Sequence, residues 1–363
     1  MTHQDVLTPG TFALGFGMMR MPDLEQSIQL VDTYLENGFN YFDTAYIYTG
    51  SEALVKNTLA TRHRRDSFLL ANKLPPWEVK NQRDSDRLFA GQLKRCGVEY
   101  FDFYMLHSLD DSRESFVETA GLFDWARQKK EAGYAKHIGF SFHGSTAYLE
   151  RLLKAHPEVE FVQLQINYMD KLRGPAGEWQ ELALKYRVPF IVMEPVKGGS
   201  LAQLPAGAEA LFKAHAPQRS VASWAIQYAA TLAGSTVMLS GMSNMAQLKD
   251  NLATYKNHLR PLSPEEATLL EQVLEEMAKV ATIPCTACKY CHAHCPVGIN
   301  IASCFSLYNG LKRGDTKWNR ATMYEALPSG KRAKDCTACE ACHPHCPQKL
   351  NIAKGLKEVA AAF

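Results

Sequence analysis

Eight of the ten cysteines fall into two short runs near the C-terminus. The first reads Cys285-x2-Cys288-x2-Cys291-x3-Cys295-Pro296, and the second Cys336-x2-Cys339-x2-Cys342-x3-Cys346-Pro347. A four-iron, four-sulfur cube needs several thiolates converging on one point, and three-residue steps let a loop wrap one corner of it. In paired runs of this kind, three thiolates hold one cube and the fourth reaches the other. The spacing therefore predicts two [4Fe–4S] clusters. One would sit on Cys285, Cys288, Cys291 and Cys346, the other on Cys336, Cys339, Cys342 and Cys295. The proline after each run turns the chain away, because it fixes φ and donates no hydrogen bond. Zinc is the competing reading, but its ligands usually come as two separated pairs. Disulfides need an oxidising compartment, and the N-terminal MTHQDVLTPG lacks the apolar core of a secretory signal. A cytoplasmic, reducing environment is the expectation. Cys96 and Cys304 belong to neither run and read as small buried apolar residues.

A second set of candidates lies in the first third of the chain. One apolar run ends Phe42-Asp43-Thr44-Ala45-Tyr46-Ile47-Tyr48, another Ala71-Asn72-Lys73, and a third Tyr104-Met105-Leu106-His107. Reducing a carbonyl takes hydride at carbon and a proton at oxygen. A tyrosine ionises near ~10 when unperturbed, too high for easy proton traffic at neutral pH, and a neighbouring ammonium lowers that value. Lys73 would be this ammonium, Asp43 would hold it charged and aimed, His107 would orient the carbonyl oxygen, and Tyr48 would deliver the proton. Taken singly, each residue also fits a structural role, as a buried ion pair or a satisfied core histidine. Arg20, Arg173 and Lys197 follow other runs, Trp77 follows the lysine run and His143 the fifth, and all could line a pocket or stand as solvated loop residues.

These residues can act together only if the chain brings the run ends together. Eight short apolar runs are visible: Phe12–Phe16, Asn40–Thr44, Ser67–Asn72, Phe101–His107, His137–Phe142, Phe161–Ile166, Phe190–Glu194 and Thr236–Ser240. An amphipathic helical pattern follows each, including 52–62, 85–96, 115–132 and 245–255. Eight strand–helix units over about 260 residues match an α/β fold of the (β/α)8 TIM barrel type, whose chemistry sits at the C-terminal strand ends. A doubly wound sheet would instead show Gly-x-Gly-x-x-Gly after the first strand, and Gly15-Phe16-Gly17 is not completed to it. Ser263-Pro264-Glu265-Glu266 predicts a helix start with a capping box. Residues 1–278 are thus expected to form the barrel with a linker helix. Residues 279–363 would form a small, mostly α-helical cluster domain, with helices over 300–312, 319–325 and 351–361.

The bulk composition excludes some partners. A net charge of +2 and a pI of about 8.0 give no footing for nucleic acid or an anionic membrane. The longest apolar stretch, Trp224 to Met242, is interrupted by polar residues and reads as a helix followed by a strand, not a membrane span.

On these residues the chain resembles the aldo-keto reductase superfamily. FDTAYIY is similar to its Asp-x4-Tyr motif, ANK to its lysine strand and YMLH to its histidine strand, over roughly residues 10–260. With the cysteine runs, it resembles a bacterial branch that carries a C-terminal two-[4Fe–4S] ferredoxin-like domain. The resemblance implies an NAD(P)-dependent oxidoreductase that interconverts a small carbonyl compound and its alcohol, and Arg20, Arg173 and Lys197 could hold a sugar-like or anionic one. It implies Asp43, Tyr48, Lys73 and His107 as the catalytic tetrad. For the cofactor it implies Ser141 and Gln163 at the carboxamide, with Phe142 where Asn is usual and Met193 where a ring is common. Met242, Ser243, Gln247, Asp250 and Asn251 would lie at the adenosine end. Met242, Ser243, Asn244 and Gln247 offer no cation for a 2′-phosphate, which favours NAD over NADP. Nicotinamide gives two electrons as hydride, a cluster takes one, and no flavin fingerprint is visible. Two alternatives therefore stay open: a single-electron reductase whose clusters relay from a ferredoxin-like partner, and a non-catalytic redox-sensing module.

Overall fold

The structure, a computed structural model, describes residues 2–313 and 317–363. Eight parallel strands close into a barrel in chain order: β1 (Ala13–Gly17), β2 (Tyr41–Asp43), β3 (Leu69–Leu74), β4 (Phe101–Leu109), β5 (Ala135–Phe142), β6 (Phe161–Gln165), β7 (Phe190–Met193) and β8 (Ser235–Ser240). β8 returns to β1, with Ala13 beside Val237 and Phe16 beside Ser240. The predicted TIM barrel is the observed one, and all eight predicted runs are strands.

Side chains on a strand alternate between its two faces. Tyr41, Leu69, Ala71, Phe103, Met105, Phe161, Ile191, Val237 and Leu239 pack together as the barrel interior. Two residues further along the same strands stand Asp43, Lys73, His107 and Gln163. The apolar interior thus passes, at its last inward step, into a polar layer at the C-terminal rim.

Helices cover the strands. Side-chain oxygens of Asp23, Asn81, Ser145 and Asn244 accept the N–H three residues on and start the helices Leu24–Glu36, Gln82–Cys96, Thr146–Ala155 and Met245–His258. Two predicted helices differ. The 115–132 pattern is broken into Glu114–Thr119 and Leu122–Glu131 at Gly121, whose φ of 58° is left-handed. The 52–62 pattern is a short α-helix, Ser51–Val55, that widens into a π-turn over Lys56–Ala60. The helices Tyr168–Arg173 and Ala206–His215 had no counterpart in the sequence reading.

The chain forms two compact units, residues 1–195 with 223–262, and residues 196–222 with 263–363. The first holds all eight strands. In the second, Ser263 and Glu266 form the predicted capping box of the helix Pro264–Ala278, which packs on Ala206–His215. The cysteine runs lie among the helices Ile301–Lys312, Lys317–Glu325 and Ile352–Ala362, around a core that includes Ile299, Phe305, Leu356 and Val359. Among the described residues from 279 onward there is no strand, and in the chain as described no helix is long and apolar enough to cross a membrane.

Gly139 of β5 pairs with Phe161 of β6, and a Cβ at Gly139 would lie 2.3 Å from the Phe161 carbonyl oxygen. Backbone on a closed barrel cannot step aside cheaply. Gly139→Ala is expected to destabilise the barrel by about 1–3 kcal/mol or more, read as a lower Tm by calorimetry. An unchanged Tm would contradict this packing.

Candidate active site and cluster sites

Lys73 is fully buried. Its Nζ donates to Asp43 Oδ1 at 2.5 Å, to the Thr44 carbonyl at 2.8 Å and to the Tyr48 hydroxyl at 3.4 Å. An ammonium has three N–H bonds, so the three acceptors satisfy it. Burial pulls the Lys73 pKa down, and the charge and hydrogen bond of Asp43 oppose that pull. Gln163 Nε2 donates to the other Asp43 oxygen at 3.0 Å. Tyr48 is half-buried, and its ring centroid lies 4.8 Å from the Lys73 ammonium.

A network behind β3 holds the lysine in place. Asn72 Oδ1 accepts from the Lys73 backbone N–H at 2.8 Å and from Gln92 Nε2 at 2.9 Å, and Gln92 also donates to the Lys73 carbonyl at 3.0 Å. Asn72 Nδ2 donates to Glu52 at 2.9 Å, and Arg95 pairs with Glu52 at 2.5 Å. The sequence reading missed Glu52, Asn72 and Gln92. Their one signal was a polar side chain at a position where the helix or strand pattern calls for an apolar one.

His107 is buried beside them. Its ring stands edge-on to Tyr48 at 5.8 Å between centroids and tilted to Trp77 at 5.9 Å. Burial, then the positive charges of Lys73 and Arg113, push its pKa well below the ordinary histidine value. Arg113 was also missed. It follows β4, its guanidinium covers the Trp77 ring at 4.2 Å, and it donates to the Ser108 carbonyl. His143 is pushed down to about 4 by burial and by Arg113. Arg20 and Arg173 are exposed.

The residues implied at the cofactor are spread along the rim. Ser141 Oγ accepts from the Ser108 N–H at 2.6 Å. That bond leaves its own hydroxyl proton, and the bond from Gln163 to Asp43 leaves the Gln163 carbonyl oxygen. A hydroxyl donor and a carbonyl acceptor on adjacent strands suit a carboxamide. Phe142 packs its ring on Tyr148 and Trp179. Past β8, Met242 is buried, Gln247 accepts from the Ser243 N–H at 2.8 Å, and Asn251 donates to Ser240 at 2.7 Å. Asp250 is half-buried on the same helix. These bonds fix the loop that leads into the Met245–His258 N-terminus, a partial positive charge suited to phosphate. The sequence reading passed over Lys249, which is exposed on that helix.

Two cavities lie among the cysteine runs. Cys285, Cys288, Cys291 and Cys346 line one, and Cys295, Cys336, Cys339 and Cys342 line the other. Each draws three sulfurs from one run and one from the other. Their walls are largely apolar, with Ile301 and Phe305 in the first and Val297 and Leu356 in the second. The ten cysteines form no disulfide. Among the described residues no three Cys, His, Asp or Glu groups close on a single-ion site. Backbone N–H groups of Ala287, Ala338 and Ile299 donate to Cys285, Cys336 and Cys295 sulfurs at 3.4 Å. All-sulfur donor sets with N–H···S bonds suit iron–sulfur clusters.

Residues 10–275 match the model of the aldo/keto reductase family, and residues 284–350 that of the 4Fe-4S dicluster domain. The chain belongs to the aldo/keto reductase family and is an oxidoreductase of that family with a C-terminal 4Fe-4S dicluster domain. An uncharacterized oxidoreductase of Bacillus subtilis is 23% identical over 297 residues, 71% of this chain and 91% of its own length. An aldo-keto reductase of Mycolicibacterium vanbaalenii is 28% identical over 254 residues, 68% of this chain and 83% of its own. Among solved structures, an aldo-keto reductase of Bacillus halodurans in its holo form has a TM-score of 0.58 at 23% identity, covering 72% of this chain and 91% of that one. An aldo/keto reductase of Klebsiella pneumoniae, in complex with NADP and acetate, has a TM-score of 0.60 at 20% identity, covering 73% and 91%. These structures share the fold.

The His107 environment has a measurable consequence. The unfolded chain takes up a proton near pH ~6.5, while the native ring resists it, so His107 makes stability fall as pH drops below that value. NMR titration of the imidazoles is expected to show His107 neutral through pH 6.5. A midpoint at or above 6.5 would contradict the burial and charge described.

Proposed function

We propose that the barrel reduces a small carbonyl compound to its alcohol, or runs the reverse, with Tyr48 as the proton donor. The observation that carries this reading is the buried Lys73 ammonium held between Asp43 and Tyr48. As the carbonyl oxygen gains negative charge, Tyr48 gives it a proton, and Lys73 stabilises the phenolate left behind. Neutral His107 donates a hydrogen bond to the same oxygen and aligns it without competing as an acid. Trp77 lies beside His107 and supplies an aromatic wall for the substrate.

Ser141 and Gln163 would hold a nicotinamide carboxamide, and the loop from Met242 to Gln247, with Asp250 and Asn251, the adenosine end. When bound, the nicotinamide supplies hydride to the carbonyl carbon. The loop from Met242 to Gln247 carries no cation for a 2′-phosphate, which supports NAD, and Lys249 is the group through which NADP would be accepted. On this reading residues 1–278 carry the carbonyl chemistry. Residues 279–363 hold two [4Fe–4S] clusters on the two sets of four cysteines. A second reading is favoured by those two all-sulfur cavities: the clusters relay single electrons from a ferredoxin-like partner, and Tyr48 and His107 serve the same proton chemistry.

Anaerobic assays with NADH and NADPH against a panel of small aldehydes, α-ketoaldehydes and acidic ketones test the proposal. Tyr48→Phe is expected to lower kcat about 10²–10⁴-fold at unchanged iron content. A variant that keeps most of its activity would remove Tyr48 from the chemistry. Turnover only with a reduced one-electron carrier, and none with nicotinamide, would select the relay.

A further inference from the structure

The two cysteine loops are near copies, CTACKYCHAHCP and CTACEACHPHCP. Their backbones agree as well: Ala287 and Ala338 share a φ of 54°. His292 and His343 each accept an N–H bond from the helix that follows, from Ala302 at 3.1 Å and Ala353 at 3.0 Å. Their surroundings differ. Thr286 of the first loop is 1% exposed, and its main chain lies against Gly198, where a Cβ would fall 2.4 Å from the Thr286 carbonyl oxygen. The matching Thr337 of the second loop is exposed, as is every residue from there to Ala341, Cys339 included. The first copy is partly covered, with Thr286 held against backbone, and the same stretch of the second faces water.

Charge is also unevenly placed. Residues 279–363 hold 12 Lys and Arg against 5 Asp and Glu, whereas residues 1–278 hold 28 against 33. Near the open loop, Lys331 and Lys334 are exposed, and neither pairs with an acid among the described residues. The Lys331 ammonium reaches Gly298, 3.8 Å from where a Cβ would stand there, three residues past Cys295 of the same cavity. Lys334 stands two residues before Cys336. Arg332 between them is paired with Glu325, and Glu340 is the one acid in the open loop.

We infer that the second cysteine loop is an electron port, where Lys331 and Lys334 dock an acidic one-electron carrier protein against the Thr337–Ala341 surface. Complementary charge speeds such encounters and makes them salt-dependent. The reduced carrier loses one electron, and the cluster held by Cys295, Cys336, Cys339 and Cys342 gains it. No bond forms or breaks, and no proton moves. The inference rests on the two-cluster reading and is independent of Tyr48, because it is read from cluster absorbance with no carbonyl present.

The test is anaerobic stopped-flow mixing of the cluster-loaded protein with a reduced plant-type [2Fe–2S] ferredoxin, an acidic carrier. The rate of cluster bleaching is expected to fall about tenfold between about 50 and about 300 mM salt. At low salt, K331E/K334E is expected to be about tenfold slower again, with iron content and bleaching by dithionite unchanged. Should that variant lose iron, K331Q/K334Q with intact clusters replaces it, with a loss of about threefold. Equal rates in wild type and the cluster-intact variant overturn the port, as does an equal loss in K289E/K349E beside the first cysteine loop. Binding of a duplex oligonucleotide that the reversal abolishes, with the ferredoxin rate unchanged, would assign these lysines to nucleic acid and also overturn it.

Discussion

A lysine with no access to water has to be compensated, and Lys73 is compensated three times, by Asp43, by the Thr44 carbonyl and by the Tyr48 hydroxyl. Removing one partner of a buried ion pair costs about 3–5 kcal/mol, because the charge left behind stays desolvated. The pair therefore ties the position of the Tyr48 hydroxyl to the integrity of the barrel. It also explains the polar network behind β3. Asn72, Gln92 and Glu52 fix the backbone of that strand, and a small shift would take the ammonium out of reach of the phenol. Gln163 completes the arrangement by occupying the Asp43 oxygen that Lys73 does not use.

The second unit solves a different problem with the same economy of parts. A cube of iron and sulfide offers little apolar surface, so its enclosure would come from short loops such as these, whose N–H groups face the sulfurs. Left-handed residues at Ala287 and Lys289, repeated at Ala338 and Glu340, turn those loops inward. Apolar residues of the helices Ile301–Lys312 and Ile352–Ala362 close the walls. Because each cavity takes one sulfur from the other run, neither half of the unit holds a complete donor set alone.

Much of this was legible in the sequence, for identifiable reasons. Barrel strands are short apolar runs, and the last inward position of three of them carries Asp43, Lys73 and His107, so alternation alone places them on one rim. The cysteine spacing predicts which sulfurs share a cavity, three from one run and one from the other. The break at Gly121 was hidden because the amphipathic pattern runs through it. The Asn72–Gln92–Glu52 network was hidden because its bonds span 20 residues or more, and polar residues reveal their burial only in three dimensions. The bond from Gln163 to Asp43 spans 120 residues, out of reach of any local pattern. Arg113 lies just past a strand end, where no periodicity marks a functional side chain. The packing of Ala206–His215 with Pro264–Ala278 was hidden because the strand–helix rhythm assigns that segment to the barrel.

Burial pushes Tyr34, Tyr41 and Tyr104 to ionise well above the ordinary tyrosine range, so a phenol that ionises early would stand apart from them. Ultraviolet difference titration of wild type against a protein lacking the Tyr48 hydroxyl isolates that one group. The account predicts that Tyr48 loses its proton below the ordinary value near ~10. Ionisation at or above that value, with Lys73 intact, would contradict it.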